Sequence, residues 1–188
     1  MYTDNSIRYF INEYSKKPSF KNTIFIITGD HRMPEIPIAT LIDRFHVPLI
    51  IYSPMLKKGE RFEGVSSQYD ITPTLLSFLA KNYGVNTPSV VAWIGDMLDV
   101  DHNFRCRESI PLMRNKNELV DYLDGDYFAA ENQLFKLYNN MDIEPTDDEN
   151  KMNQIKAKFD TYKMNDKKAC SENKIIPDSI KNRYEAIK

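Results

Sequence analysis

The tetrapeptide Gly29-Asp30-His31-Arg32 sets a carboxylate, an imidazole and a guanidinium side by side, directly after the apolar run Thr23–Thr28. A carboxylate and an imidazole are two of the standard ligands of zinc or manganese. On an ideal strand adjacent side chains point to opposite faces. Past a strand end the backbone turns, so both can converge on one ion, and Gly29 eases that turn. The plainer alternative is that Asp30 caps a turn and His31 sits in solvent. Arg32, beside a metal, would suit a phosphate or sulfate oxyanion, which a guanidinium grips with two parallel hydrogen bonds. A solvated arginine is the competing reading. His46 precedes a second apolar run, Val47–Tyr52. It can line the same cleft as acid, base or ligand, or serve as a structural histidine. His102, in the acidic stretch Asp99–His102, reads as a solvated loop residue.

Other chemistry finds little support. The GxSxG elbow, the GxxxxGK[ST] phosphate loop and the HExxH helix are all missing from the sequence. Thr28 and Ser53 fall at strand ends without an activating neighbour, and the carboxylates Asp4, Asp43 and Asp70 cannot be paired from sequence. Cys106 and Cys170 form no CxxC unit, which excludes a thiolate zinc site or a thioredoxin-type redox pair. One disulfide and two free thiols remain equally compatible with them. Lys plus Arg is 25 against 27 Asp plus Glu, a net charge of −2. That balance argues against nucleic acid as a partner, because such binding rests on a basic face that neutralises phosphates. Apolar stretches run only a few residues, too short to span a bilayer. The start, MYTDNSIRYFINEY, lacks the basic-then-apolar order of a signal peptide.

The elements that must position these residues follow from periodicity. Ile7, Phe10, Ile11 and Tyr14 recur at helical spacing, so Tyr2–Ser15 is expected as a helix with Thr3 or Asp4 as its N-cap. Thr23–Thr28 and Val47–Tyr52 read as strands buried on both faces and joined by a crossover, in the manner of an open α/β sheet. Asp70 caps a helix with Pro73 in its first turn; Leu75, Leu76, Phe78 and Leu79 form its apolar stripe, and Gly84 stops it. Ser89–Leu98 is expected to add a shorter helical piece carrying Trp93. From about residue 105, Ser109–Met113, Leu119–Leu123 and Leu134–Tyr138 read as antiparallel strands, with a turn at Asp124-Gly125-Asp126. Ile155, Phe159 and Tyr162 mark a surface helix in a strongly charged tail. With 188 residues, 41% apolar and 12% aromatic, the chain suits one domain or a large piece of one. The expected class is α/β: a partial, open, mostly parallel sheet flanked by helices, plus a small antiparallel C-terminal subdomain.

Taken in order, NTIFIITGDHR, HVPLIIYSP and SSQYDITPTLLSFLA resemble the sulfatase and lipoteichoic-acid-synthase branch of the alkaline phosphatase superfamily. In that branch a strand ends in a Gly-Asp-His type metal motif, a VPL(I)IxxP strand follows, and then a DIxPTLL helix. YTDNSIRYFINEY resembles the helix before the metal strand. NQLFKLYNNMDIEPTDDEN is similar to the element that closes the C-terminal subdomain of sulfatases. The resemblance spans roughly residues 1 to 160. It implies that 1–104 form the C-terminal part of the α/β core and 105–188 the antiparallel subdomain with its helix and tail. It also implies that Asp30 and His31 are ligands of a divalent metal ion (Mn, Zn, Ca or Mg), with sulfate or phosphate esters as substrates. His46 then approaches the substrate cleft. Relatives carry a small or aromatic residue in place of Arg32, so its oxyanion role rests on its chemistry alone.

The departures from the family pattern are equally informative. Relatives begin with a strand carrying an acidic ligand, and a Thr, Ser or formylglycine nucleophile follows on a helix N-terminus. This sequence matches neither, and has no CxPxR or SxPxR motif. The resemblance therefore implies the C-terminal part of a larger enzyme, inactive alone, whose partner is the N-terminal part of the same enzyme. The alternative is a non-catalytic remnant acting as a binding module. A sheet cut in this way leaves an open edge suited to self-association. Full-length relatives imply an extracytoplasmic location, periplasmic, at the cell surface or membrane-anchored.

Overall fold

The computed structural model describes residues 2–115, 118–174 and 176–185, which divide into two units: Met1–Ile38 with Arg44–Arg61, and Ala39–Asp43 with Phe62–Lys188. In the first, helix α1 spans Tyr2–Tyr14 and half-covers Ile7, Ile11 and Tyr14. It starts at Tyr2 as expected, but Thr3 and Asp4 then lie inside the first turn instead of capping it. There Asp4 favours the positive helix end and pairs with Arg8 one turn on, at 3.2 Å. Pro18 opens a 3-10 turn, Pro18–Asn22, which leads into strand β1, Phe25–Thr28. Phe25 is buried among four rings: Tyr14 at 5.2 Å, Tyr52 at 5.9 Å, Phe20 at 6.0 Å and Phe10 at 6.2 Å between centroids. This aromatic cluster fixes the root of β1 against α1, and so fixes where the strand delivers Gly29-Asp30-His31.

Strand β2, Leu49–Tyr52, pairs with β1 antiparallel, Phe25 opposite Tyr52 and Thr28 opposite Leu49. This corrects the crossover expectation. The connection contains Pro34, Pro37 and Pro48 and only a 3-10 turn at Ile42–Phe45, so no helix carries the chain across a sheet face. The expectation that both strands are fully buried is corrected as well: in β1 only Phe25 is buried, and Thr28 is exposed. Among the described residues β2 pairs with β1 alone, and all four of its side chains are exposed, Ile50 to 51%.

The second unit holds the parallel pair, β3 (Gly64–Val65) with β4 (Arg105–Cys106). Helix α2, Ile71–Tyr83, follows a 3-10 turn at Gln68–Asp70 and stops where Gly84 adopts φ 65°, the left-handed cap expected of glycine. Residues 89–98 are irregular, not helical. Their amides are taken by side chains of the preceding segment: Asp96 N donates to Asp70 Oδ1 at 2.8 Å, and Leu98 N to Thr74 Oγ1 at 2.9 Å. Gly95 lies so close that an added Cβ would meet the Tyr69 carbonyl oxygen at 2.1 Å. A helix there would forfeit these bonds and force the two backbones apart.

Beyond it, β5 (Ser109–Asn115), β6 (Glu118–Asp124), β7 (Tyr127–Ala130), β8 (Gln133–Leu137) and β9 (Ile143–Thr146) form a five-stranded antiparallel meander in sequence order. Helix α3, Glu149–Ser171, packs Ile155, Met152 and Phe159 onto Tyr122, Ala129 and Leu134. Lys151 and Lys158 both reach the buried Asp124, at 2.8 and 2.6 Å. A final helix, α4, covers Asp178–Glu185. The class is thus mixed α/β: a small parallel sheet, helices, and a separate antiparallel sheet in the C-terminal portion. No helix of the described residues is long and apolar enough to cross a membrane.

Candidate metal centre

Antiparallel pairing has a direct consequence for the site. The carboxyl end of β1 and the start of β2 lie at the same end of the ribbon, so Asp30, His31 and Arg32 share that end with His46. The approach is close at its base, where a Cβ added to Gly29 would meet Val47 Cγ1 at 3.2 Å. Gly29 is not in the left-handed region. What glycine offers here is its missing side chain, which lets Val47 approach, and not the conformational freedom expected from the sequence.

Asp30 and His31 are exposed, with their side chains turned toward each other: His31 Nε2 lies 3.5 Å from Asp30 Oδ2. Two ligand atoms about 2.1 Å from a tetrahedral ion stand about 3.4 Å apart, so the pair has the bite of two adjacent ligands. The second ring nitrogen supports the same use. His31 Nδ1 is 2.7 Å from the Arg32 carbonyl oxygen. A carbonyl only accepts, so Nδ1 is the donor there, and in the neutral ring Nε2 is left with its lone pair toward Asp30. The donor set therefore fits a divalent metal, as two members of a shell. Asp30 Oδ1 accepts the His31 backbone N–H at 3.0 Å, which orients the carboxylate.

Arg32 is half-buried. Its Nη1 donates to the carbonyls of Ile36 at 2.7 Å, Met33 at 2.9 Å and Pro34 at 3.2 Å. Its Nε and Nη2 make no such bond among the described residues. His46 is exposed and has no hydrogen bond or ion pair with the other three among the described residues. Thr28 Oγ1 makes only a 3.4 Å contact to the Gly29 carbonyl, and Ser53 Oγ accepts the Met55 amide at 3.3 Å. Among the described residues neither hydroxyl is bonded to a base. Among the described residues no group of three or more His, Cys, Asp or Glu side chains is gathered to hold a metal. His102 stacks near Phe62, with ring centroids 5.0 Å apart.

A concentration of charge within the second unit could not be foreseen from the sequence. Asp70 is wholly buried and accepts Ser67 N at 2.6 Å and Ser67 Oγ at 2.8 Å, with Asp96 N on its other oxygen. The Glu108 carboxyl hydrogen-bonds to Asp70 and Ser67. Burial first, and then the Asp70 charge, push Glu108 up to about 7. The two cysteines are free: Cys170 is exposed, and Cys106 is buried, its thiol pushed up to about 12 by burial. That makes Cys106 inert as a nucleophile. Asp99 is held below the usual carboxylate range by its bonds to Arg105, which also pairs with Asp101. These are groups that close a fold around a loop.

Compared with known proteins, residues 1–83 match the sulfatase family model. No curated protein and no solved structure matches the chain. Residues 1–83, somewhat under half of the chain, are thus similar to the sulfatase family. That region runs from α1 through α2 and includes Asp30, His31, Arg32 and His46.

Proposed function

We propose that this chain contributes part of the active site of a metal-dependent sulfatase or phosphoryl/phosphoglycerol transferase acting on sulfate or phosphate esters. The observation that supports this most is the convergence of His31 Nε2 and Asp30 Oδ2 at the end of β1, inside the region similar to the sulfatase family. In this reading Asp30 and His31 hold a divalent ion, Mn, Zn, Ca or Mg. When bound, it neutralises charge on an ester oxygen and lowers the pKa of a hydroxyl nucleophile. Arg32 offers its Nε and Nη2 edge to a non-bridging oxygen of the sulfate or phosphate group, orienting the ester. His46, at the same end of the ribbon, lies where it can hold or move a proton on the substrate. The hydroxyl nucleophile and the remaining ligands come from outside these 188 residues, so the chain alone binds metal weakly and turns nothing over. The complete enzyme, by family likeness, works outside the cytoplasm.

A second reading, a non-catalytic binding module, draws support from the exposed apolar strand β2. Calorimetric titration of Mn2+ and Zn2+ into the chain separates the two. The first reading requires a single weak site that disappears in Asp30→Asn and in His31→Ala. Binding that survives both substitutions, or no binding at all, leaves the module reading.

A further inference from the structure

The half-buried Arg32 guanidinium does something that neither a solvated arginine nor a pure oxyanion ligand would do. One nitrogen, Nη1, serves three carbonyls within a single turn of chain, those of Met33, Pro34 and Ile36. That turn is closed on itself by Ile36 N donating to the Met33 carbonyl at 3.1 Å. The chain leaving Arg32 is therefore tied down by Arg32's own side chain. The peptide group at the root of that tie is the one whose oxygen takes the His31 Nδ1 hydrogen at 2.7 Å.

We propose that Arg32 is a positioning residue: by gathering the three carbonyls with Nη1 it holds its own carbonyl against His31 Nδ1, so that in the neutral ring Nδ1 keeps the hydrogen and Nε2 faces Asp30. Nothing else among the described residues bonds to the His31 ring apart from Asp30 and this carbonyl. Without the tie the Arg32 peptide is free to rotate, and the ring loses the partner that selects its tautomer. A histidine ligand whose outer nitrogen is held in this way keeps both ring orientation and basicity, and loss of such a partner weakens metal binding about 10–100-fold. The step from tautomer to metal rests on the reading of Asp30 and His31 as ligands. The control of the tautomer does not.

The test uses the full chain with 15N- and 13C-labelled histidine at about pH 9, where imidazoles are neutral. Ring shifts report which nitrogen of His31 carries the hydrogen. The wild type is expected to show the Nδ1–H form, Arg32→Ala a mixture with Nε2–H, and Arg32→Lys the wild-type form, because an ammonium can also serve several carbonyls. Mn2+ titration of the same proteins is expected to show about tenfold or greater weakening in Arg32→Ala and rescue in Arg32→Lys. An oxyanion-only role gives a different pattern, with tautomer and metal affinity unchanged in Arg32→Ala; that result overturns the inference and leaves the functional reading intact. A tautomer that follows the substitutions in a chain that binds no Mn2+ sustains the positioning role and overturns the functional reading.

Discussion

At the scale of single residues, the end of β1 is defined by what Gly29 lacks. A methyl group there would press on Val47 at 3.2 Å, and a branched side chain would wedge the ribbon open just beneath Asp30 and His31. Gly29→Val is accordingly expected to cost about 1–3 kcal/mol, the range for overpacked sites. Urea unfolding midpoints read that loss, and a midpoint equal to wild type would contradict the close approach. Asp30 and His31 were legible as a candidate pair because the carboxylate and the imidazole are adjacent in sequence after an apolar run. What Arg32 does was not legible. Its three acceptors are main-chain carbonyls, present after any residue, so no side-chain pattern signals them. Nor could sequence join Asp70 to Glu108. They are brought together by chain folding between two short parallel strands, and neither carries a local mark.

Among the elements, that carboxyl pair ties the start of α2 to the chain between β4 and β5, and it predicts how stability varies with pH. Glu108 is raised from 4.5 to about 7 in the fold. A carboxyl raised in the fold holds its proton there after the unfolded chain has released it. Its contribution is therefore fully present below pH 4.5 and is lost as pH rises toward about 7. Asp99 and Asp124 are shifted the other way, from 3.8, so they add stability above that value and lose it in acid. Across the window from 4.5 to about 7 the Glu108 slope is the one expected to dominate. Glu108→Gln, which stays neutral, should flatten it; urea midpoints at pH 5 and pH 8 compare the two proteins, and an undiminished slope in Glu108→Gln would contradict the assignment.

Element existence was largely readable where composition and caps agree. α2 ends at Gly84 as expected, and α3 carries Ile155 and Phe159 on the face it packs; Asp70 precedes α2, but its carboxylate bonds to Ser67 and Asp96 N instead of capping that helix. Strand β7 was missed because two of its four residues are alanine. Strand β9 was missed because Pro145 interrupts it, which is tolerated there because β9 is an edge of its sheet. The helix expected over 89–98 failed for a tertiary reason: its amides bond to Asp70 and Thr74 instead of to their own carbonyls.

For the molecule as a whole, the apolar side chains of β2 are the feature most at odds with a protein standing alone. Leu49, Ile50, Ile51 and Tyr52 are exposed by 37 to 51% on a strand with one partner among the described residues. An uncharged apolar edge of this kind invites another chain. The chain is expected to self-associate with rising concentration in sedimentation velocity, and Ile50→Lys to return it toward monomer by placing a charge on the strand. A wild type that stays monomeric throughout would show that the edge is tolerated bare. The central claim, that the end of β1 is a divalent-metal site, is tested most directly by adding substoichiometric Mn2+ to the 15N-labelled chain and mapping which amides broaden. The account predicts broadening centred on Gly29, Asp30, His31 and Arg32, extending to His46 at the same end of the ribbon. Broadening centred on Asp99 and Asp101 or on Asp147 and Asp148, with the end of β1 left sharp, would contradict it.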